Sequence, residues 1–173
     1  MDAPRCISYL TIEHRGPIPV ELRPLMGNRV YGCDICQEVC PWNERFAEPA
    51  EEEAYRVRKG LDGPALVELA DRLLVVDDEG FRELFRGSAI KRAKRAGLLR
   101  NVCVALGNWG AAEAVLVLVR ALEDTEALVR GHAAWALGRV GTDGAREALS
   151  QARREETTSE VRQEITDAIS GAP

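Results

Sequence analysis

The residues best suited to chemistry are cysteines. Cys33, Cys36 and Cys40 stand close together in YGCDICQEVCPWN, residues 31–43, and Pro41 follows the last of them. The spacing C-x2-C-x3-C-P is the closing part of C-x2-C-x2-C-x3-C-P, a run that ligates iron–sulfur clusters, and its opening part is missing. Soft thiolates converging from a tight loop suit such clusters, and a proline after the last ligand stops regular structure there. Structural zinc also uses C-x2-C knuckles, so spacing alone leaves both metals open. Cys6, 27 residues before Cys33, is the one nearby candidate for a fourth ligand. Cys103 is of another kind. It shares a helical face with Leu99, Val102 and Leu106 and is expected in the core.

The elements that carry these cysteines read as two different kinds of chain. Residues 1–50 have little helical periodicity. ISYLTI, residues 7–12, is β-branched or aromatic at most positions and reads as a short strand or extended segment. Pro17, Pro19 and Pro24 then impose irregular, extended chain. A segment with so little regular structure needs another source of order, and a bound metal or cluster is one.

Residues 51–173 read as helical. Asp62 is placed to cap a helix with Pro64 in its first turn and Leu66, Leu69, Leu73 and Leu74 along one face. Phe81, Leu84 and Phe85 form a short second stripe. LLRNVCVALGNWG, residues 98–110, and LVRGHAAWALGRVG, residues 128–141, resemble one another: Ala105-Leu106-Gly107 and Ala136-Leu137-Gly138 lie 31 residues apart, as do Gly110 and Gly141. A third, degraded copy begins at Val161-Arg162, with Thr157 and Glu160 as a capping box before the last helix. A helix-pair repeat of this period is the mark of an α-solenoid. The expected fold is mainly α: an irregular Cys-rich segment, residues 1–50, followed by HEAT-like helical repeats, residues 51–173.

Net charge is −5, which by itself predicts no nucleic-acid binding, but its distribution is uneven. Between Glu83 and Glu113 there is no acidic residue, while Arg86, Lys91, Arg92, Lys94, Arg95 and Arg100 fall inside. Such a segment either neutralises phosphates or is a solvated helix face. Trp109, in a turn between repeats, is expected to pack there as Trp135 does, with stacking on a base as the alternative. His14 and His132 have no ligand spacing to a partner and read as surface or packing residues. Glu51–Glu53 and Asp77–Glu79 read as solvated linker and helix-start charges, and no opposed catalytic pair stands out. The charged N-terminus, broken by Pro4, does not read as a signal peptide, and the longest apolar run, Ala114 to Val119, is too short to span a bilayer. A soluble cytoplasmic protein is expected, with its cysteines in metal or core rather than disulfides.

RCISYLTIE, RPLMGNRVYGCDICQEVCPWN and GSAIKRAKRAGLLRNVCVALGN together resemble the C-terminal part of the epoxyqueuosine reductases. These are cobalamin-dependent oxidoreductases with two [4Fe–4S] clusters that complete the queuosine base of tRNA. The resemblance covers essentially the whole chain. It implies that the missing opening of the cysteine run lies upstream of these residues. It further implies that Cys6, Cys33 and Cys36 serve one cluster and Cys40 the other, as in two-cluster ferredoxins. By the same resemblance Ser8, Cys33 and Asp34 lie against cobalamin, and Lys91, Arg92, Lys94, Arg95 and Arg100 contact tRNA. Trp42 and Asn43 belong to the matching motif without a chemistry of their own. The family's cobalamin domain has no counterpart here, so the chain is expected to be inactive alone. It would be an artificial or mis-started product, one half of a split enzyme with a separate cobalamin-binding chain, or a remnant. No membrane or DNA partner is expected. The competing reading is a non-catalytic HEAT-like adaptor with a structural zinc knuckle, binding RNA or protein.

Overall fold

The computed structural model describes residues 2–49, 51–53 and 65–171. Among them the fold is helical without strands. The long helices come late: α6 (Lys94–Trp109), α8 (Ala127–Val140) and α10 (Ser159–Ser170) lie side by side as one layer. A second layer of α4 (Leu66–Leu74), α7 (Val115–Ala121) and α9 (Asp143–Glu155) packs behind them, with α5 (Asp78–Leu84) against α6. This is the expected solenoid.

Its repeat is enforced by glycines. Gly107 faces the next copy so closely that a β-carbon there would lie 2.8 Å from Ala136 Cα and 2.7 Å from Trp135 Cζ3. One repeat later, a β-carbon on Gly138 would lie 2.8 Å from Ala168 Cβ. The same position in successive copies thus lets backbones approach where a side chain would hold them apart. Gly110 and Gly141 end their helices in the left-handed region at φ 69° and 65°, the conformation that closes a helix C-terminus most cheaply with glycine.

The N-terminal segment is folded onto the first layer. ISYLTI is not a strand but α1 (Ile7–Ile12). Its β-branched residues lose to docking: Leu10 and Thr11 are buried, and the Thr11 hydroxyl donates back to Ile7 O while accepting the Gly32 N–H at 2.9 Å. The proline-rich stretch is tighter than expected, with 3-10 turns at Val20–Leu22 and Pro24–Met26. Most of its carbonyls have no ladder to join, and side chains from the helices meet them. Arg100 of α6 is buried and donates to Leu10 O at 2.7 Å, His14 O at 2.9 Å and Gly16 O at 2.8 Å. Asn101 donates to Thr11 O and Val30 O, and Asn108 to Arg23 O and Gly27 O. From α10, Glu164 accepts both Arg23 guanidinium nitrogens at 2.9 and 2.7 Å.

From α8, His132 supplies an acceptor for a backbone N–H of the segment. Its Nε2 takes the Ile18 N–H at 3.1 Å and its Nδ1 lies 2.7 Å from Leu128 O. Ile18 N can only donate, so the ring is neutral with its proton on Nδ1. Burial holds its pKa well below the ordinary 6.5, and the nearby charges of Arg23 and Arg100 push the same way.

Smaller expectations divide. Phe81 and Phe85 are buried in edge contact, but Leu84 is exposed. Asp77 caps α5 by accepting the Gly80 N–H at 2.8 Å. The capping box at Thr157 and Glu160 is not formed. The helix starts one residue later, on Thr158, and Glu156 accepts the N–H groups of Thr157 and Thr158 instead. The cap expected at Asp62 and Pro64 lies outside the described residues.

Two outcomes follow for stability. Arg100→Met leaves one buried and two part-buried carbonyls without a donor and should cost about 3 kcal/mol in urea unfolding. Arg100→Lys, lacking the fork, should recover only part. Below pH 6.5 the unfolded chain binds a proton that folded His132 refuses, so stability is complete above that pH and falls as the solution is acidified. The slope should approach about 1.4 kcal/mol per pH unit and should flatten in His132→Gln. Glu156, held down to about 2 by Arg130, adds a second loss below its ordinary 4.5.

Candidate functional site

The cysteines sit where this docking places them. Cys6 is the residue before α1, and the Ser8 hydroxyl on the first turn of that helix donates to Cys33 O at 3.2 Å. The Gly32–Thr11 bond lies beside it. One end of the motif is therefore tied to the helix that follows Cys6. Cys36 lies in α2 (Ile35–Glu38), a single turn begun by Asp34, whose carboxylate accepts from Gln37 Nε2 at 3.2 Å. Cys40 precedes α3 (Pro41–Phe46), with Pro41 at the first helical position where its missing N–H costs nothing.

All four thiols are free. Cys36 is exposed, and Cys6, Cys33 and Cys40 are partly so. Among the described residues no three His, Cys, Asp or Glu side chains converge as the ligands of one ion. The structure thus brings Ser8 and Cys33 together at the Cys6 end of α1, leaves Asp34 beside Cys33 by sequence with its carboxylate on Gln37, and sets Cys40 at the far end of α2. Soft, accessible thiolates fit an iron–sulfur cluster as a donor set. Cys103 does not join them. It is buried in α6, and burial pushes its thiol up to about 12. Trp42 is exposed and stacks on Phe46 with centroids 5.6 Å apart, while Asn43 donates to Gln37 O.

The basic segment resolves into two populations. Arg95 and Arg100 are not available to a nucleic acid. Arg100 is consumed by the N-terminal carbonyls, and its guanidinium, pulled down to about 10 chiefly by burial, is still charged at neutral pH. Arg95 holds buried Asp124 by two nitrogens and donates to Leu73 O and Val76 O, joining the end of α4 to the α7–α8 turn. Lys91, Arg92 and Lys94 are exposed, on and beside a 3-10 turn over Ala89–Ala93 that Ser88 caps by accepting the Ile90 N–H. Arg92 pairs with Glu13, Arg15 donates to Arg92 O at 2.6 Å, and Tyr31 donates to Ala89 O at 2.6 Å. The exposed cations are thereby fastened to the segment that bears Cys33.

Trp109 is not packed as Trp135 is: it stays 51% exposed at the end of α6, whereas Trp135 is buried with Arg23 and Arg139 over its ring. His14, partly buried, bonds through Nε2 to Pro17 O, a local turn contact. The role that sequence reasoning missed belongs to Asn101, Asn108 and His132, whose partners lie in chain with no repeat pattern. The only signal was polar residues on helix faces that otherwise read as core.

Comparison with known proteins agrees with this geometry. A family model described as a 4Fe-4S double cluster binding domain matches residues 1–43, and one for HEAT repeats matches residues 87–170. An epoxyqueuosine reductase of Escherichia coli is 47% identical over 137 residues, 79% of this chain and 35% of the relative. One of Pseudomonas aeruginosa is 48% identical over 142 residues, 82% of this chain and 38% of the relative. A crystal structure of an epoxyqueuosine reductase covers all of this chain at TM-score 0.87 and 32% identity, using 45% of its own length. Another, with an epoxyqueuosine-modified tRNA-Tyr stem loop, covers 99% at the same TM-score and identity, using 44% of its length. The chain spans little more than a third of the curated relatives it matches. Alike in sequence over most of its length and in fold over nearly all of it, the chain belongs to the epoxyqueuosine reductase family.

Proposed function

We propose that this chain is the cluster-bearing and tRNA-engaging C-terminal part of an epoxyqueuosine reductase, and that it is inactive until the rest of that enzyme is supplied. The division into a cluster segment, residues 1–50, and a repeat domain, residues 51–173, belongs to the proposal. The reaction is deoxygenation of the epoxide of epoxyqueuosine in tRNA: two electrons and two protons enter, the epoxide oxygen leaves as water and a double bond remains. The observation that carries the reading is the tie between Ser8 and Cys33 O, which holds the Cys6 and Cys33 ends of the motif together inside the segment matched by the cluster-binding family.

Cys6, Cys33 and Cys36 would hold one [4Fe–4S] cluster with a ligand from outside this chain, and Cys40 would contribute to a second. Such clusters, when bound, supply single electrons to a cobalamin. This chain's residues orient and shield. Ser8 and Asp34 would face the cobalamin beside Cys33, and the docking of α1 on Arg100 and Asn101 keeps that face in place. Lys91, Arg92 and Lys94 would neutralise tRNA phosphates, a reading supported by the stem-loop complex of the structural relative.

Iron, sulfide and zinc should be measured per chain after purification and reconstitution without oxygen, with visible and EPR spectra. Iron and sulfide in equal amounts are expected, lost in Cys6→Ala and Cys33→Ala and kept in Cys40→Ala. Stoichiometric zinc without iron would overturn the cluster assignment. For the RNA contact, Lys91→Ala combined with Arg92→Ala should weaken binding of an anticodon stem-loop and make log K against log salt shallower by about 1.8, two phosphates at about 0.9 each.

A further inference from the structure

The two short helices that carry Cys36 and Cys40 contribute nothing to the core. No residue of α2 or α3 is buried, and none of their apolar side chains packs against the buried cluster. Ile35 and Val39, one turn apart, are 40% and 71% exposed. Trp42 and Phe46, one turn apart on α3, are 71% and 59% exposed and stack only on each other and beneath Arg45, whose guanidinium lies 5.3 Å from the Phe46 ring. Asn43 donates to Gln37 O at 3.1 Å, which fixes α3 against α2. Large apolar side chains left bare so close together mark a surface that a partner covers.

The chemistry of the cysteines says which partner. Each [4Fe–4S] cluster takes four thiolates, so a double-cluster domain needs twice that number. Residues 1–43 hold half of them, at Cys6, Cys33, Cys36 and Cys40, and Cys103 is shut in the core. The remaining thiolates come from other chain, and the relatives carry well over half of their length outside the part matched here. A cluster is compact, so the chain that brings its other ligands must lie against the turns that bear Cys36 and Cys40. The bare side chains stand on those turns: Ile35 precedes Cys36, Val39 precedes Cys40, and Trp42 follows Pro41.

We infer, resting on the reading of these cysteines as cluster ligands, that Ile35, Val39, Trp42 and Phe46 form the docking surface for the polypeptide that supplies the remaining thiolates. That polypeptide is a cysteine-bearing segment with an apolar face of its own. Trp42 and Phe46 are its anchors, since large aromatic side chains supply most of the free energy of a contact of this kind. Trp42, which has no chemistry of its own, thereby acquires a role: it brings the missing ligands to the metal and excludes water from the finished clusters.

The test uses the full chain, alone and joined behind the remainder of the Escherichia coli relative in place of that protein's matching residues. Covalent side-chain footprinting read by mass spectrometry should label Trp42 and Phe46 readily in the chain alone and find them shielded in the joined protein. Trp42→Ser combined with Phe46→Ser should leave the Tm of the chain alone unchanged, yet drop the iron retained by the joined protein toward that of the unjoined chain. Leu116→Ser, at a side chain 81% exposed on α7, should change neither. Full iron in the joined double variant, or Trp42 and Phe46 still labelled in a joined protein that holds its iron, overturns the inference and leaves the cluster reading standing. A lowered Tm in the chain alone overturns it too, because the face is then already covered within the chain. So does sedimentation of the chain alone as a dimer that the two substitutions dissociate, since a second copy is then the occupant. If neither protein takes up iron and sulfide, the cluster reading fails and the inference with it.

Discussion

A buried carbonyl without a donor is costly, and the N-terminal segment, built of short helices and turns, leaves several carbonyls that its own backbone does not satisfy. The rest of the structure answers this constraint. Arg100 serves three of them with one guanidinium, Asn101 and Asn108 serve two each, and their partners run from Leu10 to Val30. Because these donors stand on α6, the irregular chain inherits the rigidity of a sixteen-residue helix. The face carrying Ser8 and Cys33 is ordered by donors that lie nowhere near it in sequence.

This explains why α6 and α8 are apolar or buried on nearly every side, which is unusual for helices in a two-layer solenoid. One side packs on the second layer and the adjoining repeat, where Gly107 and Gly138 set the spacing. The other side packs on the N-terminal segment, whose Leu10, Ile18, Leu22 and Met26 are buried in the same core. The polar groups on that side are few, and each is matched to a particular backbone atom. Specificity of docking comes from those pairings and the free energy from the apolar contact around them.

Much of this was legible in the sequence, and the losses have physical causes. The repeat showed because identical spacing of Ala, Leu and Gly reports identical packing. Cys103 showed because a helical face repeats every turn. Arg95 and Arg100 misled because charge counted along a sequence does not say whether the cation meets water, a carboxylate or a carbonyl. Arg100 bonds to backbone 84 to 90 residues away, which leaves no trace in residue type. ISYLTI misled because propensity is a weak prior against burial of Leu10 and the Thr11–Gly32 bond. The cysteine motif was legible as a cluster-binding pattern, matched by the family model over residues 1–43, while the tether from Ser8 to Cys33 O, a backbone acceptor, was not.

The contacts of Ile18 with His132 and of Arg23 with Glu164 span 114 and 141 residues. They have a consequence for the order of events during synthesis. The segment around Ile18 and Arg23 is completed by helices that emerge from the ribosome more than a hundred residues later, and closing a loop of that length must precede any reward from the contact. Until α10 is made, this segment lacks part of its docking surface, so Cys6, and Cys33 tied to it through Ser8, are borne on chain that is not yet fixed. The repeats can form one after another as they appear, each on its neighbour. Maturation of the cysteine site is therefore a late step, taken after α10 has emerged.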